Sequence, residues 1–485
     1  GVNGCISADP LFEYGVYLGA GSPCINAGTN NASNWGLGNP YTTRTDGSPD
    51  SGTVDMGYHY STGLDAVAYA DLYVKTNGDD SAVGTSWGSA LKTLTNALAR
   101  AGDVRRIYIA AGTYSTNTTE KFPLSIAYRS WIELLGAGST STVINAKNLT
   151  TNVFALSVVA KAKLADLTIT GGNAASGGGV YIASCGDVLI SGCNVTNNAG
   201  GRMGGGIYAD YTYITVNDSL LAANSAAGGV NASGYGGAVC LTASRANVSN
   251  CIVRGNYSMG QNSGAGGYGG GIYMDASSTL TMQQSVLASN TANKNMSDTV
   301  GGGLCNAGVA TLRNCLICTN RSTAVATKGD GIYSTGTSTL QNCTVANNRG
   351  EGLRVASGLA SASNTIFWGN GDDLTGTVSV AYCAIGTADS FWTHGVNGCI
   401  SNDPLFVDTT YFHEQSRVGH YTNGYFSGGG WAVALSNSPC IDAGDDSAWA
   451  TEPEPNGRRI NMGAYGNTSV ASMGSSMQGT IFMLR

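Results

Sequence analysis

Two short signatures alternate seven times between Gly177 and Asn370, and few folds tolerate such a pattern. The first is a cluster of small residues closed by an aliphatic one: Gly177-Gly178-Gly179-Val180, with copies that end at Ile207, Val239, Ile272, Leu304, Ile332 and Leu353. The second is an aliphatic or aromatic residue three places before an asparagine, from Val195/Asn198 to Phe367/Asn370. From the last small residue of each cluster to its asparagine there are 17 to 19 residues, whereas the way from that asparagine to the next such small residue takes 4 to 15. One side of every repeat is fixed in length and the other is free.

A strand-like repeat this short cannot bury its own apolar face and must stack on copies of itself. In Leu340-Gln341-Asn342-Cys343-Thr344-Val345 the apolar or small residues alternate at period two on either side of a polar corner, and no helical period fits. That corner recurs as Asp218, Asn250, Gln284, Asn314, Asn342 and Asn364, residue types that mostly tolerate the left-handed backbone of a sharp bend. The pattern predicts an all-β chain, a parallel β-helix solenoid, right-handed by the rule for parallel crossovers. Tyr181, Tyr208, Cys240, Tyr273, Cys305 and Tyr333 should then occupy equivalent places in successive coils.

The glycine-glycine-aliphatic cluster followed by aromatic or aliphatic-x-x-Asn resembles the paired motif of the polymorphic outer-membrane protein adhesins, with Phe367-Trp368-Gly369-Asn370 its nearest copy. The flanks resemble bacterial right-handed β-helix proteins of the choice-of-anchor type. Before the coils the likeness rests on Tyr73 to Asp80 and Gly112-Thr113-Tyr114; after them it rests on Asp403-Pro404-Leu405-Phe406, Ser438 to Gly444 and Asn461 to Tyr465. The resemblance covers about residues 71 to 467 and implies the fold. It implies no single function, because the same scaffold carries lyases, hydrolases, adhesins and inert stalks.

The closing part of that pattern occurs twice. Gly1 to Phe12 returns 394 residues later as Gly395 to Phe406, Ser22 to Gly28 returns as Ser438 to Gly444, and Val54 to Tyr58 as Ile460 to Ala464. Residues 1–60 therefore read as the closing segment of a preceding β-helix in a tandem array or fibre, or else as a duplicated cap of this one. Residues 61–115 read as an N-terminal cap with the first strands, 116–394 as the coils, 395–467 as the closing segment and 468–485 as a tail. Within the cap, Leu91, Leu94, Leu98 and Ala101 predict a helix in Ser86–Ala101 that covers the open end of the solenoid. The tail ends in an apolar run whose Ile481, Phe482 and Leu484 are candidates for an end-to-end contact. A start without methionine or signal peptide suggests a processed product or an excised piece.

Charged residues make up 11% of the 485 and the net charge is −7, so the surface is rich in hydroxyl and amide groups. That balance argues against nucleic acid or an anionic membrane as partner, and no apolar run is long enough for a transmembrane segment. A secreted or cell-surface protein that associates with itself, and that takes glycans if it takes any ligand, fits best. Of the 13 cysteines, Cys193, Cys251, Cys315 and Cys343 follow the polar corner in one register that Ser219, Ser285 and Thr365 share. Neighbouring coils lie about 4.8 Å apart, wider than the Cβ separation of about 3.8 Å in a disulfide, so buried thiols are expected there. Cys5 with Cys24 and Cys399 with Cys440 recur outside the ladders and are candidate disulfides of the closing segments; an unpaired thiol pair is the alternative.

An enzyme on this scaffold needs converging carboxylates, either for calcium beside a basic residue or as an acid/base pair. Asp187, Asp210, Asp218, Asp275, Asp298, Asp330 and Glu351 read as lying in different registers, and the pairs Asp79-Asp80, Asp372-Asp373 and Asp445-Asp446 as loop residues. No catalytic residue, metal or cofactor is predicted; a polysaccharide lyase or a glycan-binding module stands as the alternative to a structural or adhesive role. Tyr411, His413, Tyr421, Tyr425 and Trp431 belong to an insertion absent from residues 1–60 and are candidate ligand residues, because aromatic rings stack on sugars. Packing over the end of the core explains them equally. One further position points outward by period two yet is mostly aliphatic: Asn194, Leu220, Ile252, Val286, Leu316, Thr344 and Ile366. Stacking makes Leu220, Ile252, Val286 and Leu316 a continuous stripe, which predicts a cover, either a neighbouring unit or a segment of this chain such as residues 1–60.

Overall fold

A computed structural model describes residues 7–474 apart from 14–16, 36, 38–40, 45–47, 58–59, 62–70, 103, 262–264, 295–298, 324–328, 388–391, 447–450 and 458. Cys5, Ile481, Phe482 and Leu484 lie outside the described residues. Between Leu72 and Ile385 the chain winds into a right-handed parallel β-helix whose strands pair in register from coil to coil. One coil runs through Ile207–Asp210, Tyr213–Asn217, Leu220–Ala222 and Ser225–Val230. Left-handed residues bend it at Tyr211, Asp218 and Ala223, with φ of +48°, +50° and +55°. The polar corner keeps this conformation in Asn250, Gln284, Asn314, Asn342 and Asn364. Period two carries the packing: Ile207, Ala209, Ile214, Val216 and Leu221 point into the core, each at most 2% exposed. Tyr181, Tyr208, Cys240, Tyr273, Cys305 and Tyr333 are register partners in unbroken succession.

The two sequence signatures co-occur because they touch. The asparagines form a buried ladder, Asn198, Asn224, Asn256, Asn290, Asn320, Asn348 and Asn370, in which backbone N–H and Nδ2 of each donate to Oδ1 of the next at 2.9–3.1 Å. Nδ2 donates also to a carbonyl of the coil before, so both the oxygen and the nitrogen of these side-chain amides have partners. A Cβ on Gly206, Gly303 or Gly331 would stand 3.0–3.1 Å from the amide of the asparagine in its own coil. The last glycine of the cluster thus leaves room for that amide, which fixes the distance between the signatures. The free side of the coil is the return loop. Ser219, Ser285 and Thr365 use the other inward ladder similarly, each accepting the N–H of Cys193, Cys251 or Cys343 one coil before.

The capping helix is shorter than the spacing predicts. A 3-10 turn, Trp87–Ser89, precedes the α-helix Leu94–Arg100. Asp80 accepts the N–H groups of Lys92 and Thr93, and Glu120 those of Leu94 and Thr95, so four donors are satisfied from outside and the helix starts at Leu94. Leu94, Ala97 and Leu98 bury its inner face in the coil core.

Candidate functional site

The closing segment lies over the stripe. Phe412, Tyr421, Ala464, Tyr465 and Val470 pack on Val286 and Leu316, while Cys440 and Met462 pack on Ile366. Val286, Leu316 and Ile366 are consequently at most 1% exposed: the cover expected over the stripe is a segment of this chain, but it is the closing segment between Phe406 and Val470 instead of residues 1–60 or another unit, and Leu220 and Ile252 stay half-buried beyond it. The polar corners hold the cover in place. Nδ2 of Asn314 donates to the carbonyls of Ala464 and Gly466, Nδ2 of Asn342 to the carbonyl of Asn461, and the Asn364 amide pairs with Asp445 in both directions. Thr344, the hydroxyl in the stripe, accepts the Ala464 N–H at 2.9 Å.

Inside the cover, the imidazole of His413 stacks on Tyr465 at 3.6 Å and meets Tyr421 edge-on at 5.3 Å. His413 is fully buried and Tyr421 nearly so, which removes both as ligand residues facing solvent. Burial holds the imidazole down at about 4. It also pushes the neighbouring Glu414, whose carboxylate oxygens have no hydrogen-bond partner, up to about 8. Glu452 accepts the N–H groups of Asn461 and Asn467, and burial pushes it up to about 7. Tyr411 packs edge-on against Tyr425 at 4.9 Å, and Trp431 stands 46% exposed on the hairpin His420–Thr422/Gly430–Ala432.

The cover stops short of the upstream coils and leaves a cleft of about 510 Å³. Its floor is the open half of the same surface: Leu220 and Ile252 from the stripe, Asp218, Asn250 and Gln284 from the corners. Tyr425 and Phe426 form one wall. Asn250 Nδ2 donates to Asp218 Oδ1 at 3.2 Å. Of the five candidate ligand residues only Tyr425 lines the cleft; the corners and Phe426 were legible as turn and packing residues, not as lining.

The carboxylates need a correction as well. Asp330, Glu351 and Asp372 stack in successive coils, contrary to the expectation of separate registers, because Gly-Asp-Gly and Gly-Glu-Gly occupy one place in the repeat. Each has a structural partner: Asp330 accepts from Ser322 at 2.5 Å, Glu351 from the Gly329 N–H at 2.6 Å and from Arg354 at 2.5 Å, and Asp372 from Thr375 and Thr387. Among the described residues no three His, Cys, Asp or Glu side chains converge to hold a metal ion. No described helix is long and apolar enough to cross a membrane.

Cys399 and Cys440 are free thiols in different packing clusters, which corrects the pairing expected for them. Cys24 is a buried free thiol too. The two closing segments nonetheless share a set of hydrogen bonds. Leu11 and Leu405 N–H donate to Asp9 and Asp403, Cys24 and Cys440 N–H to Ser22 and Ser438, and Asn26 and Asp442 N–H to Asp55 and Asn461. Gly28 and Gly444 N–H donate to Val54 and Ile460, and Met56 and Met462 N–H to Cys24 and Cys440. Leu11 and Leu405 share a φ near +50°.

Residues 76–355 match the model of a family described as a protein of unknown function, DUF1565. No curated protein matches the chain. Among solved structures, pectate lyase Pel9A superposes with a TM-score of 0.50 at 15% identity, over 82% of this chain and 95% of that one. ORF18 of Geobacillus virus E2 gives 0.41 at 14% identity over 60% and 56%, and pectin methylesterase PemA from Erwinia chrysanthemi gives 0.32 at 12% identity over 64% and 92%. At such identities the likeness to the lyase concerns the fold alone.

Proposed function

The chain belongs to the DUF1565 family, whose own function is unknown, and from its geometry we propose that it is an extracellular structural or adhesive surface protein, one unit of a tandem array or filament. The observation that carries this reading is the duplicated closing segment. The described residues between 7 and 61 keep a set of the hydrogen bonds of the segment that covers the coils, yet Met56 is half-buried where Met462 is fully buried against Ile366, and Val54 is half-buried where Ile460 is fully buried. A fold built to lie on a β-helix and retained in a second copy points to a second β-helix for it to close. In this reading residues 1–60 close a neighbouring unit, 61–115 cap this one, 116–394 are its coils, 395–467 close it, and the tail with Ile481, Phe482 and Leu484 is a further joint. The likeness of the repeats to polymorphic outer-membrane protein adhesins, and of the flanks to choice-of-anchor proteins, supports display at a cell surface. Sedimentation velocity of the full chain and of the chain without residues 1–60 tests it: the full chain should form larger species and the truncated one should not. Equal sedimentation per mass in both would refute residues 1–60 as the joint.

The cleft supports a second reading, a glycan-binding module. The covered half of the surface receives peptide backbone through amide donors at Asn314 and Asn342 and the Thr344 hydroxyl; in the open half the equivalent positions are Asp218, Asn250 and the aliphatic Leu220 and Ile252. A carboxylate that only accepts, beside an amide and an aromatic wall, suits a hydroxyl-rich neutral saccharide better than a carbonyl-rich peptide. Calorimetric titration with neutral hexasaccharides should give heat that Asp218→Asn lowers; no heat with any of them would refute it.

A further inference from the structure

The last turn of the coil stack brings two cysteines side by side. Ile400 N–H donates to the Cys383 carbonyl at 2.8 Å, Ile385 N–H to the Ile400 carbonyl at 2.9 Å, and Tyr382 N–H to the Asn397 carbonyl at 2.8 Å. Ala384 and Ile400 form a parallel bridge, so Cys399 stands opposite Cys383 at one strand spacing. That spacing, about 4.8 Å, falls inside the range of about 4.4–6.8 Å between the Cα atoms of a disulfide.

Another pair, Cys315 and Cys343, shares the ladder register without the same freedom. Each of those lies between paired coil strands, with Sγ donating to two carbonyls, Met282 and Arg313 for one and Leu312 and Gln341 for the other. Cys399 instead follows the turn Gly395–Gly398, in which Gly395, Asn397 and Gly398 all take positive φ, and its Sγ reaches one carbonyl, that of Asn397, at 4.0 Å. A turn of this kind can tilt by the roughly 1 Å that separates one strand spacing from the Cβ separation of a disulfide. The Cys383 thiol beside it also pulls the Cys399 thiol down to about 7, while burial holds Cys383 itself well up.

We infer that Cys383 and Cys399 are the disulfide site of this chain, and that the bond fastens the closing segment to the last coil. In an oxidising setting the Cys399 thiolate attacks a low-molecular-weight disulfide such as oxidised glutathione and releases one glutathione thiolate. The Cys383 sulfur, losing its proton, then attacks Cys399 Sγ and displaces the second glutathione. Two electrons pass from the protein to glutathione, and one S–S bond is exchanged for another. The inference stands apart from the array and the glycan readings, since the oxidant is supplied in the test.

The full chain is unfolded with dithiothreitol, refolded in a mixture of reduced and oxidised glutathione, alkylated and digested without reduction; if it does not refold, chain exported to a bacterial periplasm is mapped identically. A cross-linked peptide pair holding Cys383 and Cys399, two hydrogens lighter than the separate peptides, is expected, with Cys315 and Cys343 recovered alkylated. Dithiothreitol should lower the melting temperature of the wild type and leave that of Cys383→Ser unchanged. Recovery of Cys383 and Cys399 as separate alkylated peptides, or of Cys399 bonded to Cys440, overturns the inference.

Discussion

Replacing Asn290 by alanine removes one rung of the asparagine ladder. The Asn290 side chain donates to the Val253 carbonyl at 2.9 Å and to Asn320 Oδ1 at 3.0 Å, and accepts both N–H and Nδ2 of Asn256 at 3.0 Å. Three of these partners keep other bonds in the variant: Asn256 Nδ2 still reaches the Leu221 carbonyl, Asn320 Oδ1 still accepts the Asn290 N–H, and the Val253 carbonyl keeps the Ala288 N–H of the strand ladder. The Asn256 N–H loses the side-chain partner that satisfied it inside the solenoid. At about 1–3 kcal/mol for a buried polar group left unsatisfied, the loss is of that size. A water entering the vacated space restores part of it, so about 1–2 kcal/mol is expected. Because a stacked array need not unfold in one step, the assay is native-state hydrogen exchange at Asn256 and its neighbours, where protection should fall by roughly 5- to 30-fold. Exposed Gln283→Ala serves as the control, and an Asn290→Ala variant with protection at Asn256 within about threefold of wild type would refute the ladder as a source of stability.

Further expectations concern the closing segment. Leu316→Ala removes apolar atoms between the coil and Tyr465 and should cost about 2–5 kcal/mol, with faster proteolysis between residues 406 and 470; Leu220→Ala, on the open half of the stripe, should cost under about 1 kcal/mol. Glu414 keeps its proton in the folded chain up to about pH 8 while the unfolded chain loses it near 4.5, so stability falls as pH rises through that window, by on the order of 5 kcal/mol. His413 acts in the other direction: its folded value of about 4 lies below the unfolded 6.5, so stability falls as pH drops through that interval. Glu452, pushed up to about 7, adds to the decline with rising pH, so the melting temperature should be highest between pH 4 and 5 and fall toward pH 9; Glu414→Gln should flatten that decline, and an unchanged slope would remove Glu414 as a cause of it.

The coil was legible because its rules are local. Period two, the left-handed corners and the Tyr181-to-Tyr333 ladder depend on residues within one repeat and on stacking that copies it. The cover over the stripe was not, because Tyr465 and Leu316 meet across 149 residues of chain and nothing in either segment names the other. Residues 1–60 looked as suitable from sequence alone, being a copy of the segment that does the covering. Cysteine pairing failed for the same reason: Cys399 and Cys440 recur together in sequence, but the path of the turn at Gly395–Gly398 carries Cys399 to Cys383. A signal for Cys383 was available, since it follows the bend at Tyr382 as Cys343 follows Asn342. The acidic stack was available too, in the shared position of Asp330 and Glu351 within their glycine clusters.

The claim that this chain is one unit of a larger assembly, closed across its ends, is tested most directly by negative-stain electron microscopy of the full chain at concentrations where purified monomer would be visible as single rods. Rods joined end to end at a regular spacing, lost on removal of residues 1–60, are the predicted result. A field of dispersed single rods, unchanged by that removal, would contradict it.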